Sequence, residues 1–338
     1  MTDPVQRPTA QPTSFRPVAG DRYCELTQHS AFSRVFQPGK LTFGLIAPLE
    51  PYPNSHKPAL MQHTKLVQQA EALGFSAIWL RDVPFYDPGF GDVAQVYDPM
   101  VYAGWLAAHT RTIAIGTAGI ILTLRDPVIV AKQAASIDQL LGGRFLLGLS
   151  TGDRRAEYPV FSADYELRAE RYRDAFELLQ TVLKESFPVH KSRFHGRLDG
   201  TLDLIPKPVG PRMPLLAIGQ CSQDISWLAR NTDGRLGHQG DFREIPKIIE
   251  RWRAAIGDAQ VFKPYGYGAF FDLDKNPDAP LQQKPGMRGG RHALLELWKL
   301  QESQGVSHVA LNFRTLRRPA QEVLDELAEY ILPHFPLN

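Results

Sequence analysis

The chain has 338 residues, 38 basic and 36 acidic, leaving a formal net charge of +2. Apolar residues make up 43% and charged residues 22%, ordinary globular usage that excludes a disordered chain. The charge balance leaves no basic face of the kind nucleic acid requires, while the 27 prolines stand above a typical share of about 5%.

Two cysteines, Cys24 and Cys221, are too few for a disulfide framework or a zinc site. They read as reduced thiols of a cytoplasmic protein. Residues 1–20 carry no apolar run of the signal-peptide kind. The longest uncharged apolar stretch, 112–124, has 13 residues, short of the roughly 20 a membrane helix needs. Both observations point to a soluble chain.

The first 40 residues, rich in Pro, Gln, Thr and Arg, read as an extended N-terminal arm ahead of one domain covering 41–338. The body repeats one rhythm of short β-branched run, loop and amphipathic helix. Strands are expected at 41–47, 76–80, 112–117, 144–149, 214–218, 236–239, 265–271 and 308–313. Between them, apolar residues recur at helical spacing: Leu66, Ala70 and Leu73; Val130, Ala134, Ile137 and Leu141; Tyr172, Phe176, Leu179 and Leu183. Helices are also expected at 98–109, 223–231 and 291–304, and around Ile245 to Ile256 and Leu324 to Ile331. Eight such units predict an α/β fold, a (β/α)8 TIM barrel, with polar, proline-rich rim insertions near 190–211 and 272–290.

In such a barrel the chemistry sits at the C-terminal ends of the strands. That nominates Pro48 and Glu50; Arg81 and Asp82; Thr123 and Arg125; Ser150, Thr151, Gly152 and Asp153. It further nominates Gly219, Gln220, Cys221 and Ser222; His238 and Gln239; Asn312 and Arg314. Gly219 to Ser222 lies between a strand and a helix, where glycine lets a ligand approach and a helix N-terminus attracts phosphate. Equally, Ser222 reads as a simple helix cap. Arg81 and Asp82 read either as a substrate-orienting acid and base or as a rim ion pair. His238 alone is more ordinary as a polar rim residue.

The segment GLSTG at 148–152 matches a hydrolase nucleophile elbow. Pro159, soon after, argues against the helix that motif requires, so a serine hydrolase is a remote alternative. The run 190–197 mixes basic and aromatic residues but is short, and reads as a solvated loop. No zinc-protease, phosphate-loop or dinucleotide-binding motif is present.

Several segments occur together and in order: QAEALGFSAIWLRD at 69–82, GTAGII at 116–121, DPV at 126–128, IDQLLGGRFLLG at 137–148, GQCS at 219–222 and WLA at 227–229. With YPVF at 158–161 and Arg168, they resemble the bacterial luciferase-like flavin-dependent monooxygenases over nearly the whole body. The resemblance implies a barrel using reduced FMN from a separate NAD(P)H:flavin reductase, O2 activation at the flavin C4a, and oxygenation of a small organic substrate. It places the flavin phosphate at Gly219, Gln220, Cys221 and Ser222, with Thr117, Arg125 and Gly152 as further cofactor-binding candidates. Ile46, Trp79 and Leu122 are candidate flavin walls, with core packing the more ordinary reading of each, and Arg81, Asp82 and His238 are the catalytic candidates. Luciferase has a catalytic His where this chain has Asp82, so light emission on a long-chain aldehyde is not expected. Two alternatives stay open: a deazaflavin-dependent hydride-transfer enzyme, with 190–197 as a groove for an acidic coenzyme tail, and a non-catalytic flavin-binding barrel. A homodimer is implied by resemblance only.

Overall fold

A computed structural model describes residues 22–238, 241–258, 261–283 and 286–337. Eight parallel strands close on themselves: Thr42–Ile46 (β1), Ala77–Leu80 (β2), Ala114–Thr117 (β3), Phe145–Ser150 (β4), Leu215–Ile218 (β5), Gly234–His238 (β6), Tyr265–Leu273 (β7) and His308–Asn312 (β8). Each pairs with its sequence neighbours, and β8 pairs β1 from Thr42 opposite His308 to Ile46 opposite Asn312, completing the ring. Strands β1 to β5 read as nearly unbroken apolar runs because both faces are covered, as parallel sheets require, whereas β6 carries Arg235 and His238.

Ten helices are described: Arg22–Thr27 (α1), Ser30–Val35 (α2), His63–Ala72 (α3), Pro99–His109 (α4), Pro127–Leu141 (α5), Arg168–Lys184 (α6), Ile225–Asn231 (α7), Ile245–Ile256 (α8), Arg291–Gln304 (α9) and Ala320–Tyr330 (α10). Local chemistry sets their ends. Asp98 and Asp126 each accept two backbone amides of the first turn, followed by proline at the first helical position. Gly142, left-handed at φ 61°, stops α5 directly before β4.

The N-terminal segment departs from the extended arm expected of it. Residues 22–35 form α1 and α2, and α2 seals the end of the barrel where the strands begin. Phe32, Val35 and Phe36 join Trp79, Leu146, Leu216 and Ala310 in one interior cluster. The physical cause is the apolar barrel interior, which would otherwise open to water at that end. Residues 1–21 lie outside the described residues, as do Gln239 and the side chain of Cys24.

Small residues make room for large ones inside the ring. A Cβ on Gly44 would stand 2.7 Å from His308 Nε2, and one on Gly116 would overlap the Trp79 ring. The two rim insertions are structured. In the first, Val189–Lys191 and Arg197–Asp199 form an antiparallel hairpin. The second begins later than expected, because β7 runs on to Leu273 and pairs in parallel with Met287–Gly289. Strand three ends at Thr117, where it was expected to, so Thr123 and Arg125 lie in the connection toward α5 and not at the strand's tip.

Candidate active site

The strands end around a cavity of about 1190 Å³, lined from all eight strands or the loops that follow them. Ile46, Trp79, Ile218, Leu236 and Ala310 form its apolar inner part, while Arg81, Asp92, Arg154, Arg168, His238 and Arg314 bring charge and polarity toward its mouth. The volume exceeds the upper end of ordinary small-ligand pockets, roughly 1,000 Å³, leaving room for a cofactor and a second molecule.

The 219–222 turn lines this cavity. Gly219, Cys221 and Ser222 all take left-handed backbone conformations, at φ 73°, 50° and 52°. Two adjacent non-glycine residues in that region cost on the order of 1–3 kcal/mol each, a strain that clusters where backbone amides are presented to ligands. Thr151, at the end of β4, brings its hydroxyl within 3.4 Å of the Ser222 hydroxyl. Arg168 lines the same cavity, its guanidinium 3.9 Å from the Tyr165 ring centroid. Turn amides, two hydroxyls and a guanidinium form a donor set suited to a phosphate.

One expected element is absent from this cradle. Asp224, not Ser222, caps α7, its carboxylate accepting the Trp227 amide at 2.7 Å. With an acidic cap on a seven-residue helix, the anion preference belongs to the turn itself. Cys221 packs its thiol against the Leu149 carbonyl at 3.3 Å, and burial pushes its pKa up to about 11. Its backbone, not its sulfur, faces the chemistry.

Arg125 and Thr117 take other roles than those expected. Arg125 clamps Asp82 with two 2.7 Å bonds, from Nε and Nη2, and gives a further bond to Asp98 at 2.6 Å. Asp82 also accepts the Ile121 amide at 3.0 Å. Both carboxylate oxygens are engaged, so Asp82 fixes the β3–β4 connection rather than offering an open base. Thr117 is fully buried, with its hydroxyl giving to the Gly148 carbonyl at 2.8 Å and taking the Gly148 amide at 2.9 Å. Two parallel strands are thereby stapled. Leu122 packs in the shell between strands and helices, not on the cavity. Gly152 does line the cavity, and its φ of 74° beside Ile121 leaves no space for a Cβ.

Arg81 and His238 both line the cavity. Arg81 gives Nη2 to Asp92 at 2.5 Å. The His238 ring meets Phe270 edge to face at 5.9 Å, and burial, then the Arg81 charge, lowers its pKa from 6.5. It is therefore neutral at pH 7 and can accept a proton or hold one at either ring nitrogen. Ser150 gives its hydroxyl to the Gly119 carbonyl at 3.1 Å and is followed by a loop and a 3-10 turn. That geometry does not expose a nucleophile.

Sequence reasoning missed three working parts. Asp92 sits in the irregular 81–98 connection, where no periodicity marks it. Arg154 gives hydrogen bonds to the Phe85 and Asp92 carbonyls, both at 3.1 Å, and lies 4.7 Å from the Phe90 ring centroid, pinning that connection over the cavity. Trp79 and His308 meet inside the barrel. Their signal, two large polar-edged rings among glycines, was present but open to many readings. Among the described residues no group of His, Cys, Asp and Glu is arranged to hold a metal. No described helix is long and apolar enough to cross a membrane.

Residues 41–272 match the family described as luciferase-like monooxygenase. The alkanal monooxygenase β chain of Photorhabdus luminescens is 26% identical over 129 residues, 38% of each chain. The match thus spans well under half the length of that curated relative. The coenzyme F420-dependent tetrahydromethanopterin reductase of Methanopyrus kandleri superposes with a TM-score of 0.69 at 15% identity, covering 88% of this chain and all of that one. The oxygenating constituent of 3,6-diketocamphane monooxygenase from Pseudomonas putida, in complex with FMN, gives 0.68 at 13% identity, again covering 88% and all. The family match covers most of the barrel, and the chain belongs to the luciferase-like monooxygenases, a family of oxidoreductases.

Proposed function

We propose that the chain is a flavin-dependent monooxygenase that binds reduced FMN supplied by a separate NAD(P)H:flavin reductase and uses O2 to oxygenate a small organic substrate. The carrying observation is the left-handed 219–222 turn facing the Thr151 hydroxyl and Arg168, a phosphate cradle at one end of a cavity large enough for flavin and substrate. Gly219, Gln220, Cys221, Ser222, Thr151 and Arg168 would hold the phosphate. Ile46, Trp79, Ala118, Ile218 and Ala310 would wall the ring system. Bound reduced flavin would supply the electrons that activate O2. Around it, the apolar inner wall excludes water, Arg154 holds the covering loop, and neutral His238 is placed to take or return a proton.

The deazaflavin alternative draws on the F420-dependent neighbour of the same fold. The basic run 190–197 gives it no support, because Asp174 takes the Arg193 and Phe194 amides and the Ser192 hydroxyl, docking that loop on α6, and Arg193 pairs with Glu170. A homodimer fits the outer faces of α4 and α5, which leave Val101, Trp105, Ile129 and Leu140 exposed. A cytoplasmic location fits an enzyme that draws on reduced flavin. Anaerobic titration with reduced FMN and, side by side, reduced F420 tests the reading. Saturable binding of FMN is expected; binding of F420 alone would replace this reading with hydride transfer.

A further inference from the structure

Across the barrel from the phosphate cradle, two arginines share one carboxylate. Arg81 follows β2 and Arg314 follows β8, the two neighbours of β1. In a closed ring of eight, β1 is the strand opposite β5, which carries the 219–222 turn. Both arginines line the cavity and are largely buried, with side chains 19% and 21% exposed.

Their hydrogen bonds leave donors in hand. Arg81 gives only Nη2 to the Asp92 carboxylate among described side-chain acceptors. Arg314 gives Nη2 to the Gly91 carbonyl at 2.8 Å, and its Nη1 stands 3.6 Å from the same Asp92 oxygen. The other Asp92 oxygen is filled by the Tyr52 hydroxyl and the Ala94 amide, each at 2.9 Å. A guanidinium carries five N–H donors, so each arginine retains several that no described side chain takes. Two cations share one anion here, while the neighbouring Arg125 is itself shared by Asp82 and Asp98, so it is the unused guanidinium N–H groups that mark an anion site.

We propose that this pole binds the substrate through an anionic group, a carboxylate borne on an apolar, ring-sized body that lies toward Trp79 and Phe270. Calling the ligand the substrate rests on the flavin reading of the cavity; the binding site itself does not. Burial, the largest single influence, would raise the pKa of Asp92, but the Arg81 guanidinium, the Ala94 amide and the Tyr52 hydroxyl together outweigh it and the net direction is down, so Asp92 keeps its charge at neutral pH. His238, on the same cavity, is neutral there and adds no charge. A planar carboxylate matches the forked donors of a guanidinium better than any neutral group does.

Isothermal titration of the full chain with benzoate and with benzamide, its neutral analogue, provides the test. Benzoate is expected to bind about tenfold tighter or more, roughly 1.4 kcal/mol. Arg81→Gln and Arg314→Gln should each abolish that preference, while Arg81→Lys should keep part of it. Equal affinities, tighter benzamide, or no binding of either by the wild type would overturn the proposal without using any variant. A second arm compares FMN with riboflavin in Arg81→Gln. An unchanged FMN preference is expected; its loss would mean that these arginines hold the cofactor phosphate, overturning the proposal. Benzoate selectivity in a chain that binds no flavin would leave the anion site standing and remove the flavin reading.

Discussion

The indole Nε1 of Trp79 donates to His308 Nε2 at 2.9 Å in the middle of the barrel. That bond fixes the tautomer of a fully buried imidazole. Its Nδ1–H must then point to Thr42 Oγ1, 2.8 Å away, whose hydroxyl donates to the Val35 carbonyl at 2.6 Å. A directed chain of three bonds thus links the cavity wall to α2 at the opposite end of the barrel.

Stability should fall in acid because of this histidine. Burial lowers the pKa of His308 to about 3, so only the unfolded chain takes up its proton between about pH 6.5 and 3. Its folded pKa is depressed, so the stability it confers is lost as pH falls. At pH 5 the loss attributable to His308 is about 2 kcal/mol. Urea midpoints at pH 7 and 5 should show that difference in the wild type and a smaller one in His308→Gln. Equal slopes in the two proteins would contradict it.

Trp79→Phe keeps the ring and removes the donor. The His308 acceptor is then buried without its partner, at a cost of about 1–3 kcal/mol. Chemical denaturation measures that cost, and a neutral result would mean that the imidazole finds another donor.

Asp82 and Arg125 should behave as one structural unit. Breaking a buried pair from one side costs about 3–5 kcal/mol, and partial exposure of Arg125 places this pair at the lower end. Asp82→Asn should destabilise clearly, while the double variant Asp82→Asn with Arg125→Met should lose much less than the sum of the singles. Strict additivity in a double-mutant cycle would show that the two side chains act separately.

Arg154→Met should free the covering connection without unfolding the barrel. It removes two bonds to loop carbonyls, a ring contact and the 4.0 Å ion pair to the buried Glu157, and leaves the strands untouched. Limited proteolysis between Phe85 and Phe90 should quicken by about tenfold, with little change in Tm. Resistance equal to wild type would exclude the clamp.

The strands and helices were legible because each follows one strong rule. Continuous apolar runs mark β1 to β5, and the apolar spacing of Val130, Ala134, Ile137 and Leu141, with Gly142 directly after it, marks α5. The α2 seal was not legible: Phe32, Val35 and Phe36 show too short a pattern amid polar residues, and their partners come from distant strands. At the site, the strand-end rule nominated Arg81, Gly152, His238 and the 219–222 turn, and all of these line the cavity. They did not show orientation. Thr117 and Arg125 occupy similar positions yet turn to a strand partner and to Asp82, because pairing in the third dimension decides which side chain meets the cavity.

The central claim is that the 219–222 turn holds a flavin phosphate, and the affinity of reduced FMN relative to reduced riboflavin under anaerobic conditions tests it most directly. FMN should bind at least about tenfold tighter, and Ser222→Ala should cut that preference by about 1 kcal/mol while leaving riboflavin unaffected. Equal affinities for the two flavins in the wild type would contradict it.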